Sequence, residues 1–171
     1  AIALRERVVR RDTDSCRLVF GEGDSLPGLV VDRYGDSLGV TFTTAPMAMK
    51  AETVLEILEE LLSPACIIAL PDPVAEKREK FRHPVGVLAG KMPDKLVATE
   101  NGIRYVVDVE SAQRKMLYFD QRDNRAAVAA NARGRVLDLY SYSGGFSLNC
   151  ALSEDTQEVL AVDSSDGALK M

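Results

Sequence analysis

The sequence predicts a small α+β domain followed by the start of an α/β domain built on a parallel sheet. Three observations predict it. Short β-rich runs separated by Gly, Asp and Pro fill the stretch from Arg17 to Thr43. An amphipathic helix and a brief apolar run come next. Beyond Gly134, a strand, a helix, a second strand and a helix start follow one another within about 35 residues, the pattern of a βαβ unit. The 171 residues, with a formal net charge of −5 and 46% hydrophobic content, suffice for one or two compact domains and no more.

Each element has a local reason. AIALRERVVRR, at the start, reads as a charged amphipathic helix, with residues 1–12 forming helix and linker. A secretory signal would need a longer apolar core and a small-residue cleavage site. Arg17–Phe20, Leu29–Asp32 and Ser37–Thr43 read as strands, with Gly21–Gly28 and Tyr34–Asp36 as turns, giving an antiparallel meander. In MKAETVLEILEELL, Val54, Leu58 and Leu61 share one helical face, flanked by Leu55 and Leu62. Glu52, Glu56, Glu59 and Glu60 fall largely opposite, and Ser63-Pro64 ends the helix. CIIAL is a short buried strand.

PDPVAEKREKFRHPVG is a polar, proline-bounded connection carrying Lys77, Arg78, Lys80 and Arg82. A solvated face is the plain reading of that cluster, and contact with RNA phosphates the alternative. LVATENGIRYVVDV is a hairpin about Asn101-Gly102. The chain turns helical by Asp123, and Gly134 closes that helix. RVLDLY and EVLAVD are strands, with FSLNCALS a helix between them and SSDGALKM a helix start after them.

Composition excludes several classes. No run of about 18 apolar residues occurs, so no membrane span is expected. Cys16, Cys66 and Cys150 are odd in number and widely spaced, with one histidine, His83, and form no metal-ligand pattern. Reduced thiols in a cytoplasm are expected. The acidic balance argues against coating nucleic acid with the whole surface, though not against a local basic patch.

The glycine turn carries the chemistry. In an open α/β sheet, ligands sit beyond the carboxyl ends of the strands. Tyr142, Ser143, Gly144, Gly145 and Phe146 stand at that edge, where glycine permits close backbone approach and a helix start offers N–H groups. Asp163 ends the next strand, placed to accept two hydrogen bonds from a ribose diol, and Ser164 or Ser165 can cap the helix beyond. A dinucleotide or S-adenosylmethionine would fit. Tyr140 and Tyr142 stand where a pyrophosphate-binding turn wants small residues, which favours S-adenosylmethionine; a turn without a ligand is the remaining alternative.

RLVFGEGDSLPGLVVDRYGD (17–36), YFDQRDNR (118–125) and VLDLYSYSGGFS (136–147) together resemble segments of bacterial RlmI-type methyltransferases. The resemblance covers almost the whole chain in order. It implies a small α+β central domain over residues 13–97 and the first part of a Rossmann-like, S-adenosylmethionine-dependent methyltransferase domain over 98–171. An RNA-binding PUA domain would precede them. It implies a cofactor site of Asp120, Gln121, Arg122, Ser141, Tyr142, Ser143, Gly144, Gly145, Phe146 and Asp163. It implies methylation of cytosine carbon 5 in large-subunit ribosomal RNA, with that RNA as partner.

The sequence departs from the family at Arg114, Lys115 and Met116, which replace a Lys-Thr-Gly stretch; Met116 in place of glycine would narrow the pocket. The basic, glycine-ended segment expected near VAEKREKF is also altered. Family enzymes add a cysteine thiolate to carbon 6 to activate carbon 5. The family's cysteine and its Asp-Pro-Pro loop match no position before Met171, and Asp72 between prolines is only half of such a loop. No catalytic residue or metal ligand is therefore assigned, and the chain alone is expected to be inactive. A non-catalytic S-adenosylmethionine- or RNA-binding module is the alternative function. Val136, Leu137, Leu139, Val159, Leu160 and Val162 are expected to leave apolar sheet surface open, giving poor stability, aggregation or a homodimer.

Overall fold

The computed structural model describes residues 1–9, 12–107 and 117–170. Two compact units divide the chain, Ala1–Thr99 and Glu100–Met171.

The first unit is a five-stranded sheet in the order β1-β2-β3-β4-β5, formed by Ser15–Phe20, Leu29–Tyr34, Ser37–Phe42, Cys66–Ala69 and Val87–Gly90. The first three strands pair antiparallel, as the turn signals predict. β4 lies parallel to β3, with Ser37 opposite Cys66 and Val40 opposite Ala69. A parallel neighbour needs a crossover, and α3 (Ala51–Leu62) supplies it, preceded by the short α2 (Ala45–Ala48). Leu58 of α3 is buried, and Val54, Leu55 and Leu62 pack on the sheet core of Val31, Leu38, Val40, Phe42 and Ile67. Leu61 departs from expectation: it is 61% exposed, because the apolar stripe is wider than the surface it meets. The helix ends on Ser63 in the left-handed region at φ 44°.

α1 (Ile2–Val8) is the opening helix. Arg5 forks onto Asp24 with Nη1 and Nη2 at 2.8 and 2.6 Å. The polar connection folds into α4 (Pro73–Glu79), whose first N–H groups, of Val74 and Ala75, donate to Asp72. Asp72 is thus a helix cap. Lys77, Arg78, Lys80 and Arg82 are exposed, whereas His83 is buried at 5%.

β6 (Leu96–Glu100) runs up to the division between the units, and β7 (Ile103–Val107) pairs with it. Asn101 and Gly102 take φ of 51° and 78°, the double left-handed turn that an Asn-Gly hairpin favours. A 3-10 turn over Phe119–Gln121 leads into α5 (Arg122–Ala129), then β8 (Gly134–Leu139), α6 (Gly145–Ala151), β9 (Thr156–Val162) and α7 (Asp166–Leu169). β8 and β9 are parallel, with Val136 opposite Val159 and Leu139 opposite Val162. Gly134 starts β8 rather than closing α5, which ends at Ala129 with Ala130 as its cap. Arg114, Lys115 and Met116 lie outside the described residues.

α6 packs on one face of the β8–β9 pair. Val136 and Val159 are half-buried on that side, so they do not form the open surface expected of them. Leu137, Leu139, Leu160 and Val162 alternate with them and are 58, 56, 57 and 43% exposed. One sheet face is therefore apolar and open.

Candidate functional site

The site grows from the turn after β8. Tyr140, Tyr142 and Gly144 take φ of 62°, 49° and 75°. Glycine adopts such angles freely, but two tyrosines do so only where surrounding bonds impose it. Those bonds are visible. Ser141 N–H donates to the Val162 carbonyl at 3.1 Å, and Gly144 N–H to the Ser141 carbonyl at 2.8 Å. Tyr142 N–H donates to Asp163 Oδ2 at 2.8 Å.

Asp163 therefore links the end of β9 to the turn. Its Oδ1 accepts Ser165 N–H at 2.8 Å, and Ser165 Oγ in turn accepts Ala168 N–H at 3.4 Å as the cap of α7. The backbone bonds from Ser165 and Tyr142 hold the Asp163 carboxyl below the usual carboxylate range, despite an opposing push from burial. Ser164 N–H adds a smaller contribution to the same carboxyl, and a carboxylate with about four lone-pair sites keeps capacity for a hydroxyl donor beyond these three.

Asp138, not singled out in the sequence, supports the other side. Its Oδ2 accepts both the N–H and the hydroxyl of Ser147, at 3.1 and 2.6 Å. One acid inside an apolar strand was the available signal. The bond ties β8 to the first turn of α6.

The Asp120–Arg122 segment approaches this turn through aromatic contact. The Tyr118 and Tyr142 rings meet edge-on with centroids 6.1 Å apart. Gln121 Nε2 donates to Asp120 Oδ2 at 3.1 Å, and Asn124 Nδ2 donates to Gln121 Oε1 at 2.9 Å. Arg122 Nε and Nη1 are buried with no hydrogen-bond partner, and so is Ser141 Oγ. Buried polar atoms are nearly always paired. Three orphaned ones within the two predicted site segments suit a polar ligand. Ser143, Gly144, Gly145 and Phe146 are half-buried along the same turn.

Two further residues, Arg125 and Asn149, were missed by the sequence reading. Both are buried, at 3 and 4% exposure, and both touch Gly145. Arg125 closes the YFDQRDNR segment already quoted, and Asn149 is an amide within the largely apolar FSLNCALS helix; these were the available signals. Grooves of about 470 Å³, beside Val136 and Cys150, and about 360 Å³, beside Asn101 and Asn149, lie along α5 and α6 and include none of the predicted site residues.

Cys16, Cys66 and Cys150 are buried, and none of them forms a disulfide among the described residues. Burial pushes the Cys66 thiol up, and burial followed by the Asp138 charge does the same at Cys150. Neither Cys66 nor Cys150 is poised as a thiolate. Among the described residues, no group of three His, Cys, Asp or Glu could hold a metal, and no helix is long and apolar enough to cross a membrane.

A strand, a strained glycine turn and an acid closing the next parallel strand define a nucleoside-cofactor domain of the α/β class. The S-adenosylmethionine-dependent methyltransferase family matches residues 16–171, and the chain belongs to that family. S-adenosylmethionine, rather than a dinucleotide, is the family's cofactor. Among similar proteins, the "Ribosomal RNA large subunit methyltransferase I" of Erwinia tasmaniensis is 36% identical over 97% of this chain and 42% of its own length. That of Aeromonas salmonicida is 35% identical over 96% of this chain and 42% of its own. The chain thus spans under half the length of these relatives. Solved structures share the fold: a Streptococcus mutans protein described as a SAM-dependent methyltransferase superposes with TM-score 0.78 at 22% identity, covering 98% of this chain and 43% of that one. A methyltransferase complexed with SAH gives 0.81 at 21% identity, with the same coverage.

Proposed function

We propose that this chain carries the donor-binding half of a methyltransferase acting on carbon 5 of a cytosine in large-subunit ribosomal RNA. The observation that carries the reading is Asp163, ionised and clamped by the N–H groups of Tyr142 and Ser165 at the end of β9. Bound S-adenosylmethionine supplies an electrophilic methyl group. Asp163 accepts the ribose hydroxyls, while Arg122 and Ser141 supply polar partners for the donor's amino-acid end. Tyr142, Ser143, Gly144, Gly145 and Phe146 form the wall of the seat, with Asp120 and Gln121 at its rim. The ribosomal RNA substrate named for the relatives supports the acceptor, and buried cysteines outside any disulfide suit a cytoplasmic setting.

Carbon 5 chemistry requires a thiolate nucleophile. The burial of all three cysteines supports a seat that depends on a nucleophile supplied from elsewhere. The same observation favours, as a second reading, a donor-binding module without catalysis of its own. Equilibrium binding of S-adenosylhomocysteine to the parent and to Asp163→Ala tests the seat: the parent binds and the variant is about tenfold or more weaker. Equal affinities would remove Asp163 from the role. Methylation of ribosomal RNA by the 171 residues alone would remove the dependence on an outside nucleophile.

A further inference from the structure

Gly145 opens α6 at the point where the turn becomes helix. It is held from two sides. A Cβ added there would stand 3.2 Å from Arg125 Cδ, so the arginine stem packs directly on the glycine. On the other side, Asn149 Nδ2 donates to the Gly145 carbonyl at 2.8 Å.

Both holds lead back to the hairpin. Arg125 Nε and Nη2 fork onto Glu100 Oε1 and Oε2 at 2.7 Å each. Asn149 Nδ2 donates to the Tyr105 hydroxyl at 2.9 Å, and its Oδ1 accepts Asn101 Nδ2 at 3.0 Å. Arg125 Nη1 also donates to the Tyr118 carbonyl at 3.1 Å, two residues before Asp120. One side chain therefore joins the Asp120–Arg122 segment, the glycine turn and the hairpin.

Stability is a weak reason for such a pair. Arg125 is 3% and Glu100 0% exposed, and taking two charges so far from water offsets much of their attraction. An apolar pair of similar volume would often serve folding as well. A bidentate fork does what an apolar pair does not: it fixes direction. Resting on the reading that the turn seats S-adenosylmethionine, we infer that Arg125 and Asn149 are positioning residues of that seat. They hold Gly145 and Tyr118 at a set distance from the hairpin, so the turn and Arg122 meet the donor already in place. Neither residue touches the donor; Arg125 acts through Gly145 and Tyr118, and Asn149 through Gly145.

The test compares S-adenosylhomocysteine affinity with thermal midpoint on the full chain. Arg125→Lys keeps a charge beside Glu100 but gives up the fork and the Tyr118 bond. The double variant Arg125→Met with Glu100→Leu removes both buried charges together, and Asn149→Ala removes the Gly145 carbonyl bond. The expected result is a midpoint within a few degrees of the parent for Arg125→Lys and the double variant, with affinity weaker by about tenfold in all three. The ligand-free Gly145 amide resonance should shift in each. Folded variants that bind like the parent overturn the inference. Loss of folding in both Arg125 variants also overturns it, since the pair would then be holding the fold. A folded parent that binds no S-adenosylhomocysteine instead defeats the reading of the site, and the inference falls with it.

Discussion

The main-chain N–H of Tyr142 donates to the carboxylate of Asp163 at 2.8 Å, so a strained turn and the end of the neighbouring strand form one edge. The bond couples two properties that are usually separate. It keeps Tyr142 at a φ of 49°, and it keeps Asp163 ionised. Replacing Asp163 with Asn retains the shape but leaves one oxygen to serve two N–H donors. Asp163→Asn should weaken S-adenosylhomocysteine binding by about tenfold, with a smaller loss than Asp163→Ala, measured by titration calorimetry.

The same carboxylate sets an acid limit. Its folded pKa is depressed by the backbone bonds of Ser165 and Tyr142, and that of Asp24 by its fork with Arg5. A depressed carboxylate contributes stability that is fully present above its unfolded value, about 3.9, and is lost as pH falls through the lower folded value. Thermal midpoints should therefore show no loss from these two groups between about pH 5 and 8, and a fall below about pH 4. Asp24→Asn should reduce the acid dependence.

His83 anchors the first unit from inside. Its Nε2 accepts the Phe42 N–H at 2.7 Å, while Nδ1 lies 2.7 Å from the Pro84 carbonyl. This pairing requires a neutral ring with its proton on Nδ1. His83→Phe fills similar space but leaves a buried N–H without its acceptor. A loss of about 1–3 kcal/mol in urea unfolding is expected.

Gly90 ends β5 at a φ of 72°, and a Cβ there would run into the Ala65 carbonyl and the Cys66 backbone. No side chain can rotate away to make room. Gly90→Ala should cost about 3 kcal/mol or more, seen as a lower unfolding midpoint in denaturant.

The open face of the β8–β9 pair pairs Leu137 with Leu160 and Leu139 with Val162. Exposed apolar patches of this kind promote association. The 171-residue chain by itself should sediment as concentration-dependent oligomers. Leu137→Ser with Leu160→Ser should shift it towards monomer without loss of helix or strand content by circular dichroism.

Much of this was legible in the residues. The meander, the Asn-Gly hairpin and the βαβ unit follow from local periodicity and turn chemistry, which are properties of neighbours in sequence. β5 and α2 escaped the reading because β5 lacks a β-branched run like the Ile67-Ile68 of CIIAL, and α2 lacks a side-chain cap like that of Ser165. Leu61 looked like core because helical spacing shows which side chains share a face, and not how wide a neighbour that face will find. The cofactor segments could be named from their resemblance. Their mutual support could not, because Asp138, Arg125 and Asn149 act through partners distant in the chain.

By itself, the sequence determined the order of elements, the glycine turn and the acid that closes the following strand, since each is written in adjacent residues. Only the tertiary structure decided that Glu100 meets Arg125 across 25 residues and that Asn149 meets Tyr105 across 44. The physical reason is that a buried charge or amide must find a partner wherever the fold brings one, and no local pattern states where that is.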